Sequence, residues 1–156
     1  MQKNTALDKY DRNILNALQD DARISYTDLG KQVGLTTTPC IDRVRKLERA
    51  GYIKGYSARL SAKKLDRGLV VFVQIGLDRT SKKTFEDFRR AIQKVSSVQE
   101  CYLVTGSFDF LVKARIKDMS AYRDLLEGEL LNLPGVKEST SIAAMEIIKE
   151  TLEIDL

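Results

Sequence analysis

Two apolar repeats of helical spacing, Leu29 with Val33 and then Cys40 with Val44 and Leu47, are separated by only a few residues around Gly34. So short a gap, with a glycine able to take the left-handed conformation, leaves a tight turn as the connection between two helices. The first helix is expected over residues 26–33, with Ser25 as its cap and Asp28 three positions on in a capping-box arrangement. Gly30 on that helix lets a neighbouring helix come close. Thr36, Thr37 and Thr38 offer caps for the second helix, Pro39 suits a first turn that has no N–H bond to lose, and Gly51 stops it. An earlier helix over residues 8–19 is read from Ile14, Leu15 and Leu18. Its start carries Asp8 and Asp11, where carboxylates meet unpaired backbone N–H groups.

At 100° per residue, the face opposite Cys40, Val44 and Leu47 carries Thr38, Asp42, Arg45 and Arg49, with Arg43 and Lys46 on its flanks. The charge is unevenly placed: residues 1–60 hold 11 Lys+Arg against 7 Asp+Glu, whereas residues 61–156 hold 15 of each. Two helices joined by a glycine turn, with a basic, hydroxyl-bearing face outward, form a helix-turn-helix whose second helix enters the major groove of double-stranded DNA. Arginines fork to phosphates or guanine edges, and threonines donate to phosphates from the helix N-terminus. The candidate DNA-contacting residues are therefore Thr36, Thr37, Thr38, Asp42, Arg43, Arg45, Lys46 and Arg49. Residues 52–60, bent at Gly55, are expected to form a small β-wing offering Lys54 and Arg59 to the DNA backbone.

The chain has no histidine and two cysteines, Cys40 and Cys101. That composition argues against a zinc site and against any nucleophile that needs a histidine base, so no catalytic residue, metal or cofactor is expected and the chain is not read as an enzyme. Thr37-x-x-Cys40 superficially resembles the motif of peroxide-reducing thiol enzymes, but those carry a proline where this chain has Val33, and the helical spacing makes Cys40 a packed residue. Cys101 falls within a strand pattern and is expected in a core. No apolar run approaches the ~20 residues that cross a membrane. The polar start, Met1-Gln2-Lys3-Asn4, lacks a secretion signal, so a cytoplasmic address is expected.

Residues 61–68 are polar and read as a linker. Beyond them, strands are expected over 69–77, 98–104, 108–116 and 136–144, with helices over 81–95 and 120–131. The tail, 145–154, alternates enough to be a further strand, at an edge or crossing to a partner. The order β-α-β-β-α-β is that of a ferredoxin-like sandwich, in which two helices cover one sheet face and a second copy of the chain can cover the other. The expected fold is α+β: a winged helix-turn-helix domain (1–60), a linker (61–68) and a ferredoxin-like domain (69–156).

Several stretches together resemble the Lrp/AsnC family of regulators. In the first sixty residues these are Leu7-Asp8-x-x-Asp11-Arg12-x-Ile14-Leu15, Leu29-Gly30-x-x-Val33-Gly34-Leu35 and Pro39-Cys40-x-x-Arg43-Val44-x-x-Leu47-Glu48-x-x-Gly51-Tyr52-Ile53. Further on stand Gly106-x-Phe108-Asp109, Asp118-Met119-Ser120-Ala121-Tyr122 and Leu133-Pro134-Gly135-Val136. The resemblance lies nearest the leucine-responsive branch. It implies a sequence-specific transcription regulator, cytoplasmic and nucleoid-associated, whose DNA binding or assembly responds to an amino acid such as leucine or methionine. It further implies homodimers that assemble into octamers, with the effector held between C-terminal domains. Carried over by position, the effector site comprises Gly106, Ser107, Phe108 and Asp109, Met119 and Ser120 on a facing loop, and Thr140, Ile142 and Ala143 on the last strand. Ile142-Ala143-Ala144 stands where that branch tends to carry bulkier residues, and Thr36-Thr37 where Ser-Pro is frequent. Two other readings stay open: a DNA-packaging protein of the same fold with little sequence preference, and a thiol-dependent enzyme using Cys40.

Overall fold

The computed structural model describes residues 6–78 and 81–156, so residues 1–5, the start of the expected first domain and of its polar N-terminus, lie outside the described residues. The chain forms two compact units, one made of Met1–Arg59 with Glu150–Leu156 and the other of Leu60–Lys149.

The N-terminal unit holds α1 (Lys9–Asp20), α2 (Tyr26–Val33) and α3 (Thr37–Arg49). Asp8 and Asp11 close a full capping box on α1, each carboxylate accepting from the other's backbone N–H. Ser25 caps α2 by accepting from the Asp28 N–H at 3.1 Å. Gly34, at φ 76°, ends α2 in the left-handed conformation. Its N–H donates to the Lys31 carbonyl and the Leu35 N–H to the Gly30 carbonyl, the paired bonds of a Schellman turn. Gly30 serves this turn: a Cβ there would stand 2.9 Å from the Leu35 carbonyl oxygen. Gly30→Ala is accordingly expected to destabilise this unit by about 1–3 kcal/mol, the usual cost of overpacking, read from its urea midpoint. Ile14, Leu29, Cys40, Val44 and Leu47 form the centre of its core.

In the C-terminal unit, β1 (Leu69–Leu77), α4 (Lys82–Ile92), β2 (Val98–Leu103), β3 (Phe110–Ile116), α5 (Met119–Gly128) and β4 (Val136–Ala143) follow the expected βαββαβ order. The sheet runs β2-β3-β1-β4, antiparallel at each neighbouring pair. Both helices pack on one face, where Val71, Val73, Ile75, Phe110 and Val112 meet Phe88 and Ile92 of α4 and Tyr122 and Leu125 of α5. Phe88 and Phe110 stack with centroids 4.2 Å apart.

Three expectations are corrected. Residues 61–68 form no separate linker: they contain a 3₁₀ turn, Lys63–Leu65, closed by Asp66 at φ 52°, and they belong to the C-terminal unit. The tail forms no strand, and residues 150–156 belong to the N-terminal unit. The wing segment, 52–60, pairs with no strand among the described residues, since a ladder needs a partner strand and neither unit supplies one there.

Candidate functional site

The basic face of α3 is solvent-exposed at Thr38, Asp42, Arg45, Lys46 and Arg49, while Cys40, Val44 and Leu47 are buried on the opposite side. Thr36 occupies the cap position of α3 in extended conformation but makes no side-chain cap bond. Thr37 is half-buried. Arg49 Nε reaches back to the Arg45 carbonyl at 3.3 Å. Behind the helix, the Tyr56 hydroxyl donates to Glu48 Oε1 at 2.9 Å and ties the extended wing segment to α3. Partial burial, reinforced by the Glu48 carboxylate, pushes the Tyr56 phenol up to about 12.

Arg43 differs from its neighbours. Its guanidinium donates to Asp8 Oδ2 and to Asp11 Oδ1, each at 2.7 Å, and lies 5.4 Å from the centre of the Tyr10 ring. Asp11 is buried, so this cation compensates a carboxylate inside the unit rather than facing outward with the DNA candidates. The Asp11 N–H and then the Arg43 guanidinium hold the Asp8 carboxyl below its usual range. The helical wheel placed Arg43 on the flank of the outward face, and nothing in the spacing of Asp8 and Asp11 pointed to a partner more than thirty residues away.

Cys40 is fully buried, and burial pushes its thiol up from the ordinary value, the reverse of what a reactive cysteine needs. Cys101 is only half-buried, against the β2 side of the core, and burial raises its thiol as well. Among the described residues no cluster of three metal-ligating side chains exists, and no helix is long and apolar enough to cross a membrane.

Two groups of the expected effector residues flank β3 in the chain. Gly106 takes φ 133°, and a Cβ on it would meet nothing within 4 Å, so the loop both requires glycine and leaves space beside it. Ser107 is exposed and Phe108 half-buried on the same loop. Asp109 anchors that loop to β1: its N–H donates to the Ile75 carbonyl at 3.0 Å and its Oδ2 accepts from the Leu77 N–H at 2.8 Å. Met119 and Ser120 are exposed at the start of α5, which Asp118 caps through the Ala121 N–H at 2.9 Å.

The strand register separates the two groups. Asp109 bonds near the Leu77 end of β1, whereas Ile116, just before Met119, pairs with Leu69 at the other end. At about 3.3 Å per residue, the eight steps of β1 between them span roughly 26 Å. Met119 and Ser120 therefore do not face Gly106–Asp109 within one chain. On β4, Thr140 and Ile142 pair with Gln74 and Phe72, on the sheet face away from the helices. Ala143 pairs with Val71, on the helix side.

Comparison with known proteins adds to this geometry. The model of the Lrp/AsnC ligand binding domain matches residues 70–154, and a winged helix-turn-helix DNA-binding model matches residues 7–54. The leucine-responsive regulatory proteins of Salmonella typhimurium and Escherichia coli are each 53% identical over 145 residues, covering 93% of this chain and 88% of theirs. A transcriptional regulator from Neisseria meningitidis, solved as a complex with L-Met, superposes with a TM-score of 0.91 at 33% identity, covering 96% of this chain and 97% of that one. An AsnC family transcriptional regulator from Agrobacterium tumefaciens superposes with a TM-score of 0.92, also at 33% identity and the same coverage.

Proposed function

The chain belongs to the Lrp/AsnC family, and from that premise we propose that it is a DNA-binding transcription regulator, not an enzyme, whose affinity for DNA responds to a small amino acid. One observation carries the reading: a glycine-turned helix pair presents Arg45, Lys46 and Arg49 to solvent, opposite a buried seam. Arg45 and Arg49 would meet phosphates or guanine edges in the major groove. Thr36, Thr37 and Thr38 stand at the N-terminus of α3, where backbone and hydroxyl donors suit a phosphate. Asp42 would accept from a cytosine amino group, and Lys46 adds a phosphate contact. Arg43 pairs with Asp8 and Asp11 and so steadies the fold that carries α3. A regulator of duplex DNA would act in the cytoplasm, at the nucleoid.

The effector is an amino acid with an unbranched or branched apolar side chain, methionine or leucine. The Neisseria relative holds L-Met, and the enteric relatives are leucine-responsive by name. Gly106 lets the ligand approach backbone, and Asp109 keeps Oδ1, the oxygen not engaged by Leu77, for an ammonium group. Phe108, Ser107, Met119, Ser120, Thr140 and Ile142 supply the remaining wall, and Ala143, on the other sheet face, is the expected residue that this site leaves out. Because Gly106–Asp109 and Met119–Ser120 sit at opposite ends of one sheet, a site using both draws on two copies. This supports assembly through the C-terminal units, first as a homodimer, with the octamer carried by the family resemblance alone. The sheet face bearing Phe72, Leu111, Tyr102 and Ile142 has no helix over it and suits the dimer contact.

The test uses a duplex selected from a random-sequence library by the wild-type protein. Arg45→Ala should weaken its binding about 10- to 100-fold, the worth of a bidentate contact, with an unchanged urea midpoint. Leucine or methionine should move the wild-type affinity for that duplex. Equal affinity for Arg45→Ala would remove α3 as the reading element, and indifference to every amino acid would remove the effector.

A further inference from the structure

The C-terminal segment returns to the DNA-binding unit after the effector unit is complete. The chain leaves β4 at Ala143 and, from Glu150 to Leu156, forms part of the N-terminal unit. The Gln19 side chain at the end of α1 grips it in both directions: Nε2 donates to the Ile154 carbonyl at 3.0 Å, and the Ile154 N–H donates to Oε1 at 2.7 Å. A single amide thus stands in for a neighbouring strand. Glu153 adds a loose ion pair with Arg59 at 3.7 Å. Leu152, Ile154 and Leu156 alternate along the segment and line a groove of about 440 Å³ with Leu15, Leu18 and Tyr56.

The hold is shallow. Leu152 is 81% exposed and Ile154 68% exposed, with Leu156 at 40% the more buried of the three, so apolar burial is modest and the Gln19 bonds carry much of the hold. Two backbone-type hydrogen bonds favour a docked state by only about 10- to 100-fold. An equilibrium of that size can be shifted by a ligand with unequal affinity for the two states.

We infer that residues 150–156 are a releasable strap, clamped by Gln19, through which the state of β4 in the effector unit reaches α1 of the DNA-binding unit. The inference rests on the amino-acid-responsive reading above and names its route. Thr140 and Ile142 of the effector strand lie a short chain distance from the clamp, so a shift of β4 on binding pulls on, or slackens, the segment that Gln19 holds. Gln19 is a positioning residue and touches neither DNA nor effector.

The experiment compares full-length wild type, Gln19→Leu, and a chain ending at Lys149, on the selected duplex, with and without leucine and methionine. Half-buried Gln19 tolerates leucine by size. Hydrogen exchange at the Ile154 amide should be slow in wild type and fast in Gln19→Leu. Both variants should still bind the amino acid by calorimetry, and without effector their DNA affinity should already lie within about 2-fold of the value that wild type reaches with it. The ratio of DNA affinities with and without effector should fall toward one. A variant that keeps the wild-type ratio, or an Ile154 amide unprotected in wild type, overturns the strap. If no amino acid moves the wild-type DNA affinity, the effector reading itself falls and the strap with it, a result visible before any variant is made.

Discussion

Phe110→Ala is expected to lower the stability of the C-terminal unit by about 3–5 kcal/mol, the cost of emptying an aromatic site in a packed core. Phe110 is 2% exposed, stacks on Phe88 and lies 5.6 Å from the Phe85 ring, so its removal takes away contacts between β3 and α4 together. Domains of this size carry about 5–15 kcal/mol in all, so the change consumes a large share. Phe110→Leu keeps most of the volume and should cost about 1–1.5 kcal/mol. The measurement is urea denaturation with hydrogen exchange resolved by peptide. Peptides from β1, β3 and α4 should lose protection, and those of α2, whose core residues form a separate cluster, serve as the internal reference. A loss below 1 kcal/mol would mean that Phe110 does not hold the helix layer on the sheet.

Most of this scaffold is legible in periodicity alone. The seam Cys40, Val44, Leu47 and the alternation of Phe110, Val112, Ala114 and Ile116 are fully local signals, and both faces are buried as read. Gly34 and Ser25 act as local rules require. What escaped is set by short turn bonds that periodicity does not report and by tertiary geometry. α4 ends at Ile92 rather than 95 because Lys94 and Val95 bond three residues back in tight turns. α5 ends at Gly128, where the Asn132 amide takes over the Glu127 and Gly128 carbonyls. The alternation over residues 145–154 reads as a strand because it reports an extended chain without saying which element that chain lies against, and residues 150–156 join the N-terminal unit instead. The separation of Gly106–Asp109 from Met119–Ser120 follows from strand register, which a one-dimensional motif does not carry.

Arg43 marks the sharpest difference between the helical wheel and the fold, and its replacement separates a DNA contact from a positioning role. Arg43→Met should destabilise the N-terminal unit by about 2–3 kcal/mol, because it strands the buried Asp11 carboxylate without its countercharge. The figure lies below that for a fully buried pair, since Arg43 keeps 30% of its side chain in solvent and water screens it there. Adding Asp11→Asn to Arg43→Met should recover part of the loss, a coupling that a double-mutant cycle reads directly. Acidity supplies a second check. The folded-state carboxyl of Asp8 is depressed below its ordinary 3.8, so its contribution is present above that pH and is lost as pH falls through the folded value. Without the guanidinium that depression shrinks, and the gap between wild type and Arg43→Met should narrow below pH 3.8. DNA affinity should fall in Arg43→Met in step with the folded fraction and return with the Asp11→Asn partner, whereas Arg45→Ala loses affinity at full stability. A stable Arg43→Met that no longer binds DNA would show that the guanidinium leaves its two carboxylates for the duplex, and that α3 is oriented by its core alone.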